Sequence, residues 1–195
     1  MENTAEQLAL WVLKKYPYRG SAPALTHLKL QKLCFYAAAC AWAHDAGEEL
    51  SSLSFEAWKH GPVLRDVFTR FRETGAQEIA ASPEAPTFSE ETERRLGEAL
   101  NVYGSLSAWS LVEQSHTEAP WAEARANETP GGKPQPISRE SVERHFKQLW
   151  TTGKVQVPTY LVDPGIFKLD GTPFDLSFKS FSDLSSFVSS QLSNA

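Results

Sequence analysis

Apolar residues at Leu8, Trp11, Val12 and Tyr16 fall on one face of a helical wheel, which predicts an amphipathic helix over residues 3–16. Pro17, Gly20 and Pro23 end it. Thr26 then stands as the N-cap of a segment from His27 to His44. There Leu28, Leu30, Leu33, Cys34, Phe35, Ala37, Ala38, Ala41 and Trp42 cover most of the helix circumference. A helix apolar nearly all round is one surrounded by others, so this segment is expected at the centre of the fold. Leu53–Trp58 reads as extended or irregular. Gly61-Pro62 is expected to open a helix carrying Val63, Val67, Phe68 and Phe71, with Gly75 at its end.

Residues 76–92, rich in Pro, Ser, Glu and Ala, read as a solvated loop. Thr87 with Glu90 has the form of a capping box for a helix reaching about Tyr103. Short helices are expected around Ala108–Gln114 and after Pro120, and 129–136 reads as a linker. Ser138 caps a last core helix containing Val142, Phe146, Leu149 and Trp150. Beyond Trp150 the pattern changes. Val155, Val157, Tyr160 and Val162 suggest an edge strand interrupted by Pro158, and Asp170-Gly171 marks a hairpin turn. Leu184, Phe187, Val188 and Leu192 share one face of a terminal helix. The expected fold is mainly α: a compact multi-helix domain over 1–150 around a central buried helix, then a C-terminal extension over 151–195 with a small β-hairpin and a short amphipathic helix.

Composition narrows the function. The 195 residues carry a net charge of -5, and no basic cluster supports general affinity for nucleic acid or an anionic membrane. An acidic chain favours a basic protein partner. Cys34 and Cys40 sit in one predicted helix with Cα atoms ~9 Å apart, too far for a disulfide, so both read as reduced. Reduced cysteines, an N-terminus unlike a signal peptide and the lack of a long apolar run together predict a cytoplasmic protein.

Catalytic patterns are weak. The five histidines are scattered, no G-x-S-x-G elbow occurs, and neither C-x-x-C nor H-E-x-x-H offers a zinc site. No cofactor is expected. His116 with Glu118 is the nearest candidate pair, and a small hydrolase using His116 is the weakest of the functional readings. Lys29 and Lys32, on one helix, suggest a solvated face more than a phosphate clamp.

Three stretches taken together carry a resemblance: KLQKLCFYA (29–37), FEAWKHGPV (55–63) and SHTEAPW (115–121). In order and spacing they resemble the Panacea, or SocA-like, antitoxin domain, over about residues 4–149. Leu64 and Arg65 follow Val63 where a proline is common, Phe68 stands in place of tyrosine, and Ser115 in place of threonine. The resemblance implies a compact, mainly helical, non-catalytic domain from a bacterial or phage toxin–antitoxin pair. Such a domain neutralises a cognate protein toxin, encoded next door, by direct contact. The alternative it implies is an adaptor that delivers the toxin to a protease or unfoldase. Trp58, Pro62 and Trp121 read as structural anchors, with Lys29, Lys32, Lys59, His60 and Arg65 as a polar rim. The candidate partner-binding residues are Lys29, Lys32, Trp58, Lys59, His60, Arg65, Phe174, Phe178 and Phe187.

Overall fold

The computed structural model describes residues 3–17, 24–128 and 132–151. The chain divides into two units, Met1–Phe146 and Lys147–Ala195, and of the second only 147–151 are described. The C-terminal hairpin and terminal helix expected within 151–195 therefore lie outside the described residues. Those residues form a mostly helical structure with a small two-stranded antiparallel sheet. In chain order the elements are α1 (Thr4–Lys15), α2 (His27–Ala43), β1 (Phe55–Trp58), β2 (Gly61–Leu64), α3 (Arg65–Phe71), α4 (Glu90–Tyr103), α5 (Ala108–Thr117), α6 (Ala119–Ala126) and α7 (Arg139–Thr151). None of the helices is long and apolar enough to cross a membrane among the described residues.

Local chemistry sets most of the boundaries. The Asn3 side chain accepts from the Glu6 N–H at the start of α1, and Lys14 and Lys15 in its last turn complement the helix dipole. Thr26 caps α2 by accepting from the Lys29 N–H. Ser138 does the same for Ser141 in α7. At α4 the cap is Ser89, which accepts from the Thr92 N–H, and its own N–H donates to the Glu49 carboxylate at 2.6 Å. The Thr87–Glu90 box expected there does not form, because Glu49 from the α2–β1 connection takes the place of an in-helix acid. Pro120 sits in the first turn of α6, where its missing N–H costs nothing.

Helix α2 is buried from Lys29 to Ala43 and packs against α1, α4, α5 and β2. Phe35 meets Tyr36, Phe55 and Phe146 edge-on, with ring centroids 5.3–5.9 Å apart. Tyr36 stacks on Tyr103 at 4.1 Å. Such pairs add roughly 0.5–1.5 kcal/mol each beyond area burial.

The segment after Trp58 departs from the sequence expectation. Gly61-Pro62 does not open a helix: Gly61–Leu64 is a strand, paired with β1 in the register Phe55↔Leu64, Glu56↔Val63, Ala57↔Pro62, Trp58↔Gly61, and helix begins at Arg65. The Ala57 N–H donates to Gln135 O and the Ile137 N–H to Phe55 O, both at 2.8 Å, so these β1 residues direct their ladder groups away from β2. Ala57 and Pro62 are thus a non-hydrogen-bonded pair, a position at which proline withholds no donor from its partner strand. The linker read at 129–136 accordingly ends in a strand-like contact, with Pro136 bridging Glu56.

Candidate protein-binding site

The outer edge of β2 is closed by polar side chains of α2. Lys32 Nζ donates to Pro62 O at 2.6 Å. Gln31 receives the Leu64 N–H at 2.9 Å and donates to Leu64 O at 3.2 Å, which reproduces the two-bond pairing of a neighbouring strand. An exposed strand edge invites foreign pairing, and buried backbone groups left unpaired are costly, so Gln31 and Lys32 answer both problems from one turn of helix. One turn earlier, Lys29 Nζ donates to Tyr16 Oη at 2.7 Å, and Tyr16 Oη donates to Gly104 O at 2.9 Å. Burial pulls the Lys29 ammonium down to about 8 and holds Lys32 well below the usual lysine range.

The hairpin turn is thereby locked against α2 and α5. Gly61 has φ +88°, and a Cβ there would lie 2.5 Å from Ser115 Oγ and 2.8 Å from Lys32 Nζ. Ser115 in turn donates to Val112 O at 2.8 Å. The three motifs noted in the sequence meet at this point: Lys32 from the first, Gly61-Pro62 from the second and Ser115 from the third. Trp121 Nε1 adds a further tie, donating to Trp58 O at 3.0 Å.

His116 and Glu118 do not act as a pair. The Glu118 carboxyl is buried, with Oε2 on the Tyr36 hydroxyl at 3.3 Å and Oε1 on Gln114 Nε2 at 3.2 Å. Burial raises its pKa to about 8. His116 instead stacks on Trp121 at 4.0 Å, and its pKa is lowered, chiefly by burial and then by Lys32. Among the described residues, three donors come close enough together to hold a metal ion: Cys40, His44 and Glu98.

Outside this locked interior lies an aromatic and basic surface. The turn presents exposed Lys59 and His60, and the His60 ring stands edge-on to Trp109, with centroids 5.4 Å apart. Trp109 is 59% exposed, the one large exposed hydrophobic side chain among the described residues. Trp58 is half-buried between Phe68, at 4.8 Å, and the Arg65 guanidinium, at 5.5 Å. Glu56 fixes both neighbours, accepting from Trp58 Nε1 at 2.7 Å and from Arg65 Nε and Nη2 at 3.0 and 2.7 Å. On the α6 side Arg125 covers the half-buried Trp121 at 5.7 Å. Tryptophan, arginine and tyrosine dominate binding hot spots, and here hydrogen bonds hold Trp58 and Trp121 in fixed orientations before any partner arrives.

The structure thus sorts the residues named from sequence. It sets Arg65 over Trp58 and leaves Lys59 and His60 exposed in the adjoining turn. Lys29 and Lys32 are not with them: both are fully buried, because Tyr16 and Pro62 supply the acceptors that let α2 carry them inside. Phe174, Phe178 and Phe187 lie outside the described residues. Sequence reasoning missed Trp109 as a surface residue, and took Trp121 only as a structural anchor. The available signal was Trp109 in the first turn of α5, two residues after the Ser107 cap, a position at a helix end where a large apolar residue has little to pack on.

Residues 30–122 match the family model described as antitoxin SocA-like, Panacea domain. No curated protein and no solved structure matches the chain.

Proposed function

We propose, from the match of residues 30–122 to the antitoxin SocA-like Panacea domain model, that the chain is an antitoxin acting inside the cell, which neutralises a cognate protein toxin by binding it directly. The observation that supports this reading beyond the family is the group of Trp58, Lys59, His60, Arg65 and Trp109 about the hairpin, with Trp109 exposed, Trp58 half-buried and basic side chains beside them. The toxin would lay an apolar side chain against Trp109 and His60, with acidic groups reaching Lys59 and Arg65. A typical stable interface buries about 1,600 Å² in total, more than this patch alone offers. The amphipathic pattern of the extension supports a second contact through Phe174, Phe178 and Phe187.

Co-expression with the product of the adjacent open reading frame tests the reading, by growth and by pull-down. Rescue of growth with a stoichiometric complex is the expected result. Rescue with a shortened toxin lifetime and no stable complex would transfer the role to a protease adaptor. A harmless neighbour would remove the antitoxin reading altogether.

Trp109→Ala separates the surface from the fold. An exposed side chain contributes within about ±0.5 kcal/mol to stability, whereas a hot-spot tryptophan contributes about 2 kcal/mol or more to binding. The variant should therefore unfold like the wild type and bind the toxin roughly 30-fold more weakly. Truncation after Trp150 should leave the domain folded and weaken neutralisation. Wild-type affinity in both variants would place the toxin on another face.

A further inference from the structure

We infer that Cys40, His44 and Glu98 form a binding site for a single zinc ion that clips the C-terminal end of α2 to α4. Cys40 stands in the last turn of α2 and His44 is its C-cap residue, with Sγ and Nδ1 on the same side, and Glu98 reaches them from α4. One donor atom from each residue lies within 4.8 Å of the other two. Cys40 Sγ and His44 Nδ1 are already 3.9 Å apart. Two ligands on one tetrahedral zinc, at about 2.3 Å for sulfur and about 2.0 Å for nitrogen, stand roughly 3.5 Å apart. A small side-chain adjustment therefore brings the set to ligand distance.

The surroundings resemble the supporting shell of a metal site. His44 Nδ1 donates to the Cys40 carbonyl at 2.8 Å, and ligation by Nδ1 replaces that bond, with the ring N–H passing to Nε2. Glu98 is held by Arg94 through Oε1 at 2.7 Å and by Arg95 through Oε2 at 3.0 Å. Each carboxylate oxygen has a second lone pair, so both guanidinium bonds can persist while one oxygen ligates. The C-terminal end of α2 places partial negative charge beside the site, which favours a cation.

The donor set selects the metal. Thiolate, imidazole and carboxylate together suit Zn²⁺, and three protein ligands leave a fourth position for water. On binding, the Cys40 thiol gives up its proton to solvent as the S–Zn bond forms. Zinc competes with the proton for the Cys40 sulfur, so affinity should increase with pH. His44 and Glu98 are half-buried, which leaves an entry path, whereas Cys34 is enclosed within the same helix and takes no part.

The test uses the full-length protein after chelator treatment, titrated with Co²⁺ as a spectroscopic substitute and then with Zn²⁺. The expected result is 1:1 binding, with tetrahedral cobalt bands and a near-ultraviolet thiolate-to-cobalt band, both lost as Zn²⁺ displaces cobalt. Cys40→Ser should abolish the thiolate band, Cys34→Ser should retain it, and Glu98→Gln should weaken binding by about 10–100-fold. Zn²⁺ should raise the melting temperature of the wild type and of Cys34→Ser, but not of Cys40→Ser. A wild type without a thiolate band, or a band that survives Cys40→Ser, would overturn the assignment. This site shares no residue with the proposed toxin surface, so its failure would leave the antitoxin reading untouched.

Discussion

Gly61→Ala should lower the stability of the domain by about 3 kcal/mol or more, through two costs that add. The first is backbone: φ at +88° is a conformation that L side chains rarely adopt, and holding alanine there costs roughly 1–3 kcal/mol. The second is space. The new methyl would stand 2.5 Å from Ser115 Oγ and 2.8 Å from Lys32 Nζ, both fully buried, so neither can swing into solvent. Moving Lys32 breaks its bond to Pro62 O, and moving Ser115 breaks its bond to Val112 O. Overpacking of this kind costs roughly another 1–3 kcal/mol. For a chain of this length, the sum corresponds to a fall of about 10 °C in melting temperature. Urea unfolding measures it directly. Gly97→Ala is the control, since Gly97 lies within α4 with nothing inside 4 Å of its added Cβ, and alanine there should stabilise by about 0.5–1 kcal/mol. Adding Ser115→Ala to Gly61→Ala should recover part of the loss by removing the nearest atom. Wild-type stability for Gly61→Ala would mean that the hairpin is not locked in the manner described.

The same turn shows what the sequence could and could not convey. Local signals carried α1, α2 and α7, because Asn3, Thr26 and Ser138 cap helices whose apolar residues recur at helical spacing. The hairpin was not legible. Its two-residue loop is Lys59-His60, which lacks the Asn-Gly or Asp-Gly signature, and proline argues against strand. What permits Pro62 in β2 is the engagement of β1 by Gln135 and Ile137, some eighty residues downstream. Lys29 and Lys32 were misplaced for a related reason. A lysine enters a core only where a specific acceptor awaits it, and here the acceptors are Tyr16 and Pro62, on other elements. The candidate site was half readable. Trp58, Lys59, His60 and Arg65 stand close together in sequence, whereas Trp109 joins them only through the packing of α5 against the turn.

Glu118→Gln should make the protein less sensitive to alkali, and the comparison with wild type isolates one buried group. In the folded state the Glu118 carboxyl keeps its proton up to about pH 8, because ionising it amid Tyr36, Tyr103 and Gln114 would bury a charge that no cation offsets. In the unfolded chain the same group releases its proton near 4.5. Folding therefore takes up a proton between these two values. The stability contributed by Glu118 is complete below about 4.5 and is lost as pH rises through about 8. Lys32 works in the opposite sense, since its folded-state pKa is depressed and its folded form gains stability as pH rises towards the ordinary lysine value. The wild-type profile mixes the two slopes, whereas the difference between wild type and Glu118→Gln removes the lysine contribution. Glutamine is a neutral isostere of the protonated acid, and its oxygen can accept from the Tyr36 O–H as Glu118 Oε2 does. At about pH 5 the two proteins should agree within about 1 kcal/mol. By about pH 9 the variant should be the more stable, by an amount on the order of a few kcal/mol. Urea unfolding at intervals across that range provides the curve. A difference that stays flat would show that Glu118 is ionised in the folded protein. A variant already destabilised at pH 5 would show that the carboxyl makes a bond that an amide cannot replace.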